Sequence, residues 1–88
     1  QFYKKACDRG YVYGCYALGL LYSYGRGFSV NYKKASQFYK KACDGGYAYG
    51  CSNLGDLYKS GRGVSQSSEK ASQFYQKSCT LGYKKDCK

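Results

Sequence analysis

The sequence has no histidine, proline, methionine or tryptophan, and a single glutamate, among its 88 residues. Without imidazole there is no histidine-based triad, no imidazole general base and no histidine metal ligand. No apolar run approaches the roughly 20 residues that span a bilayer as a helix, so this segment is not expected to be transmembrane. Five acidic residues face fifteen lysines and arginines, a formal charge of +10. The length allows one domain at most, and a core of that size stabilises a fold only marginally. Cysteine, tyrosine and glycine are in excess, at six, thirteen and twelve. Six cysteines in so short a chain point to disulfides and an oxidising compartment, secreted or periplasmic.

The excess has one source, a repeat. Residues 1–36 and 37–72 agree at 24 of 36 positions, and residues 73–88 begin a third copy. Each copy opens with Gln-Phe-Tyr, at residues 1, 37 and 73. Cys7, Cys43 and Cys79 recur at that period, as do Cys15, Cys51 and Cys87. Such internal similarity marks a repeat array rather than an ordinary globular domain.

Within each unit the periodicity is helical. Ala35, Phe38, Tyr39, Ala42 and Cys43 fall at i, i+3, i+4, i+7 and i+8, one face of an α-helix. Lys33, Lys34, Lys40 and Lys41 lie off that stripe. Asn31, and Ser67 one repeat later, are good N-caps for this helix B, expected over 32–43 and 68–79. A second set, Cys15, Leu18, Leu21 and Tyr22, returns as Cys51, Leu54, Leu57 and Tyr58. It predicts a helix A over 14–24 and 50–60, closed by Gly-Arg-Gly at 25–27 and 61–63. Gly19 and Gly55 inside helix A cost about 1 kcal/mol each against alanine, which suggests close approach of a neighbouring element. Nothing alternates at period two, so no sheet is expected and the fold class is all-α.

Helix B ends on Cys43, residues 44–47 turn the chain, and Cys51 starts the next helix A. In a tight helical hairpin these positions face each other, so the expected pairs are Cys7–Cys15, Cys43–Cys51 and Cys79–Cys87. Each closes a nine-residue loop, worth about 2.5 kcal/mol on the chain-entropy account. A zinc site is disfavoured by the C-x7-C spacing and the lack of histidine. No metal or other cofactor is implied.

The run Leu54-Gly55, Tyr58, Gly61, Gly63-Val64, Lys70-Ala71 and Phe74-Tyr75 resembles the Sel1-like repeat, a relative of the tetratricopeptide repeat. Leu18-Gly19, Tyr22, Gly25, Gly27, Lys34-Ala35 and Phe38-Tyr39 show the same pattern one unit earlier. With cysteines at both ends of the hairpin, the chain resembles the Helicobacter cysteine-rich proteins over essentially all its length. Phe28 stands where valine is usual, and Asn31 and Ser67 replace the usual aspartate. The resemblance implies an α-solenoid of antiparallel helix pairs, export behind a cleaved signal peptide, and service as an interaction scaffold. Some members are described as penicillin-binding with weak β-lactam hydrolysis. The chain opens inside a helix B and stops in the first turn of a third helix A, so a longer parent is expected.

Catalysis is poorly supported by the residues themselves. Serine β-lactamases carry S-x-x-K, S-x-N and K-[ST]-G boxes, and all three strings occur, at Ser67–Lys70, Ser29–Asn31 and Lys59–Gly61. Ten serines and twelve lysines yield about one S-x-x-K by chance, and the boxes stand in the wrong order. Ser67 and Lys70 are thus weak catalytic candidates, because an N-cap serine directs its oxygen to backbone N–H groups.

Binding is the better expectation. By resemblance the A helices line a concave face that takes ligand. Tyr16, Leu20, Tyr24, Asn53, Asp56 and Lys59 lie off the buried stripe of helix A and are the candidate contacts, with Ala17, Ser23, Ser52 and Ser60 on the same arc. Asn53 can hold a peptide backbone through both amide groups, and tyrosines supply flat contact area at low entropy cost. The expected partner is a protein or extended peptide. The lysines fall mainly on outer faces of helix B, the solvated side of a helical array. Attraction to anionic cell-surface polymers is a secondary expectation. With no nucleic-acid motif present, no specific nucleic acid is expected.

Overall fold

The computed structural model describes residues 2–27 and 29–87. Phe28, the departure from the usual valine, lies outside the described residues. Among the described residues five helices follow one another: α1 (Phe2–Asp8), α2 (Val12–Tyr24), α3 (Tyr32–Asp44), α4 (Ala48–Ser60) and α5 (Ser68–Thr80). A 3₁₀ turn, Lys84–Asp86, closes the chain where a third helix A was expected to begin. There is no strand among the described residues. Each helix packs against the next in chain order, giving an elongated α-solenoid of 37 × 24 × 16 Å.

The B helices start where their caps stand. Asn31 Oδ1 accepts the Lys34 backbone N–H at 3.0 Å, and Ser67 Oγ accepts that of Lys70 at 3.1 Å. Helix A begins two residues earlier than its apolar stripe suggests, at Val12 and Ala48. The N-cap positions are Tyr11 and Tyr47, in extended backbone and without a side-chain cap bond. No capping residue announces these starts, hence the offset. At the other end Gly25 and Gly61 take φ of 71° and 73°, and their N–H groups bond Leu21 and Leu57 carbonyls. That left-handed closure suits glycine because a side chain there is strained.

Disulfides join Cys7 to Cys15, Cys43 to Cys51 and Cys79 to Cys87, with Cα atoms 4.6, 4.6 and 4.9 Å apart. Each ties the end of a B helix to the chain entering the next unit. Two core clusters lie along the array. One gathers Cys7, Cys15, Leu18 and Ala42; the other gathers Ala35, Tyr39, Leu54 and Leu57. Tyr22 stacks on Phe38 and Tyr58 on Phe74, with interplanar angles of 4° and 15°.

Gly19 and Gly55 do mark a close approach, and the neighbour is a tyrosine ring. An added Cβ would stand 2.5 Å from the Tyr39 ring at Gly19 and 2.8 Å from the Tyr75 ring at Gly55. Ala17 and Ser52, read from the sequence as outward, are buried. The A helices sit between two B helices and are covered on two sides, so their buried arc is wider than one stripe.

Candidate functional site

Covering helix A on two sides leaves a narrow open arc, and that arc forms a groove between α2 and α4. It encloses about 260 Å³ and is lined by Ser23 and Tyr24 of α2, Tyr32 and Tyr39 of α3, and Asn53, Asp56, Leu57 and Ser60 of α4, with Arg62 beyond. A second groove of about 600 Å³ runs between α4 and α5 to the terminal turn, lined by Asp56, Lys59, Ser68, Ala71, Ser72, Tyr75, Gln76, Lys85 and Asp86. Asp56 lines both, so the two form one track across two repeats.

Of the six candidate contacts, Tyr24, Asn53 and Asp56 line the first groove, and Asp56 and Lys59 the second. Tyr16 and Leu20 line neither and are half-buried against the core. Tyr16 instead supports the groove from beneath: Asn53 Nδ2 lies 3.5 Å from its hydroxyl. Its ring meets Tyr47 at 5.0 Å and Tyr39 at 5.8 Å between centroids. The cluster continues through Tyr49 to Tyr83, whose rings are 4.9 Å apart.

Two tyrosines of the B helices contribute to the track although their positions belong to the apolar stripe. Tyr39 is 2% exposed, yet its hydroxyl meets Ser23 Oγ at 3.0 Å where the groove opens. Tyr75 donates its hydroxyl to Asp56 Oδ1 at 2.5 Å. Period arguments score tyrosine as apolar and overlook its polar tip; the glycine beneath each ring was the usable signal. Burial raises the phenol pKa of Tyr39 and Tyr16; part of the rise is offset by Ser23 and then Asn53 at Tyr39, and by Asn53 at Tyr16. Burial also raises Tyr75, reinforced by the hydrogen bond to Asp56 and by the carboxylates of Asp56 and Asp86.

In the β-lactamase-like strings the polar groups are engaged at helix ends. Ser67 Oγ is engaged with the Lys70 backbone N–H, while the Lys70 ammonium rests 5.6 Å from the centre of the Tyr58 ring. Ser60 Oγ donates to the Asp56 carbonyl at 3.0 Å, and Asn31 caps α3. Each hydroxyl or amide is used to hold a helix end.

The architecture has close counterparts among solved structures. Cysteine rich protein B of Helicobacter pylori superposes with a TM-score of 0.95 at 34% identity, over 99% of this chain and 65% of that one. A Sel1 repeat protein from Oxalobacter formigenes gives 0.93 at 30% identity, over 98% and 35%. The protective antigen c5321 of uropathogenic Escherichia coli, which displays the same repeat fold, gives 0.91 at 30% identity, over 96% and 18%. The chain thus spans less than two thirds of each protein's length. A sequence comparison with curated proteins returns no significant match. The sequence profile of the Sel1 repeat matches at residues 1–11, 12–47 and 48–83. Its full units each pair an A helix with the B helix that follows, α2 with α3 and α4 with α5. On this match, and on structural relatives that share up to 34% of its residues, the chain belongs to the Sel1 repeat family.

Proposed function

We propose that the chain is a binding module whose track along α2 and α4 holds an extended peptide, or a peptide-like segment of a protein. The observation that carries this reading is the placement of Asn53. It is half-buried in the groove lined also by Tyr24 and Asp56, with Nδ2 3.5 Å from the Tyr16 hydroxyl and a second interaction with the Tyr39 phenol. A side-chain amide carries both a donor and an acceptor, the pair that a peptide backbone C=O and N–H present in turn. The two grooves meeting at Asp56 suit an extended ligand better than a compact one. Phenols, hydroxyls, Arg62 and Asp56 along the walls supply directional contacts, and Tyr24 supplies an exposed ring. The likeness to a Helicobacter cysteine-rich protein and the three disulfides support service in an oxidising compartment outside the cytoplasm. No helix among the described residues is long and apolar enough to cross a membrane.

Peptides selected from a random display library by the oxidised chain provide the test. Asn53→Ala and Tyr24→Ala should each weaken the selected peptides about tenfold, the loss typical of a contact worth about 1.4 kcal/mol. Lys40→Ala on α3 should leave affinity unchanged. Peptides indifferent to both groove variants would overturn the reading.

A further inference from the structure

The outer faces of the B helices carry a feature that the groove does not use. Lys5, Lys41 and Lys77 occupy equivalent positions one repeat apart on α1, α3 and α5, and all three are exposed. Lys34 and Lys70 form a second equivalent pair at the starts of α3 and α5. Acidic neutralisation on this side is weak. Asp44 Oδ2 holds Lys40 at 2.9 Å and its Oδ1 reaches Lys77 at 3.7 Å, each side chain about half exposed, where ion pairs contribute little. The Lys77–Asp44 contact also joins α3 to α5 across the surface.

Three of these five lysines are ordered as well as charged. The ammonium groups of Lys34, Lys41 and Lys70 stand 5.4, 5.7 and 5.6 Å from the ring centres of Tyr22, Phe38 and Tyr58. A ring face holds a cation in place without neutralising it, so less side-chain entropy remains to be lost on binding.

We propose that this outer face binds a linear polyanion, an acidic polysaccharide bearing sulfate or phosphate groups, laid along the repeat axis across α1, α3 and α5. Cations repeated at equivalent positions on successive B helices match a linear polymer of repeated anions. The Tyr22, Phe38 and Tyr58 rings are half-buried beneath Lys34, Lys41 and Lys70, so over α3 and α5 the face presents cations rather than open rings to a bilayer or to nucleic-acid bases. The three disulfides suit an oxidising compartment, away from the reducing cytosol where most nucleic acid resides. This site is independent of the peptide reading and survives if that reading fails.

The intact, oxidised chain with heparin as probe tests it, by the dependence of affinity on salt. Lys41→Gln with Lys77→Gln removes two contacts. It should lower the slope of log affinity against log salt by about 1–2 and the affinity at physiological salt about 20-fold. Lys59→Gln with Lys85→Gln removes the same charge from the groove side and should stay within about twofold, because screening confines exposed charges to about 8 Å. Asp44→Asn, which frees Lys40 and Lys77, should tighten binding, whereas Asp56→Asn should not. Equal losses in the two double variants would show attraction to net charge alone and overturn the proposal. Tighter binding to phosphatidylserine vesicles or to duplex DNA than to heparin, at equal anion concentration, would also overturn it.

Discussion

Replacing Gly19 by alanine sets two known effects against each other. Gly19 is inside α2, where alanine is favoured by about 1 kcal/mol on helix propensity. The new Cβ, however, would stand 2.5 Å from both Cδ1 and Cε1 of Tyr39 and 3.1 Å from Cζ. Tyr39 is 2% exposed and its hydroxyl is tied to Ser23 at 3.0 Å, so the ring cannot retreat without losing that bond. Overpacking of this kind costs about 1–3 kcal/mol, and a lost buried hydrogen bond adds about 1 kcal/mol. The net expectation is a loss of about 1–3 kcal/mol, or about 4–8 °C in Tm for each kcal/mol in a chain of this size. Thermal unfolding of the oxidised chain followed by far-UV circular dichroism measures it. Gly55→Ala is the internal control. Its Cβ would meet the Tyr75 ring at 2.8 Å, but Tyr75 is only half-buried and can shift, so the loss should be smaller. A rise in Tm for Gly19→Ala, as propensity alone demands, would refute the claim that the glycine makes room for the ring.

Replacing Cys43 and Cys51 together by serine reopens a hairpin closed by a disulfide and should cost about 2.5 kcal/mol in denaturant unfolding. Ser67→Ala should cost about 1 kcal/mol by the same measurement, the value of an N-cap, because Ser67 Oγ holds the Lys70 N–H. Alkaline pH should destabilise the fold. Tyr16, Tyr39, Tyr47 and Tyr75 have phenol pKa values raised by burial above the ordinary 10.0. The unfolded chain therefore releases these protons first: the stability is complete below pH 10 and is lost as pH rises toward the folded values. Tyrosinate absorbance should show a late-ionising subset, and Asp56→Asn should bring one member of it, Tyr75, down.

Much of this architecture was legible because its signals are local and repeated. The 36-residue period, the stripe Ala35–Cys43 and the caps Asn31 and Ser67 each concern residues within a turn or two of one another. The cysteines eight apart fall on the two sides of one tight hairpin for the same reason. What escaped depends on elements far apart in sequence. The starts of α2 and α4 carry tyrosine instead of a capping side chain, so nothing local marks them. Tyr16 and Leu20 pass for outward positions until α3 and α4 are packed on α2, when both become half-buried. Conversely, Tyr39 and Tyr75 look like core residues, and only the packing of their rings on Gly19 and Gly55 carries their hydroxyls to Ser23 and Asp56. A tyrosine has an apolar body and a polar tip, and a one-dimensional stripe registers only the body.

The central claim is that the track along α2 and α4 receives an extended peptide. Two-dimensional NMR of the isotope-labelled, oxidised chain, titrated with a display-selected peptide, addresses it most directly. The account predicts shifts concentrated at the Asn53 side-chain amide and at the backbone of Ser23, Tyr24, Asp56 and Ser60, with α1 and the outer lysines of α3 unmoved. Shifts centred on the outer faces of α1, α3 and α5, with the Asn53 amide unchanged, would contradict it.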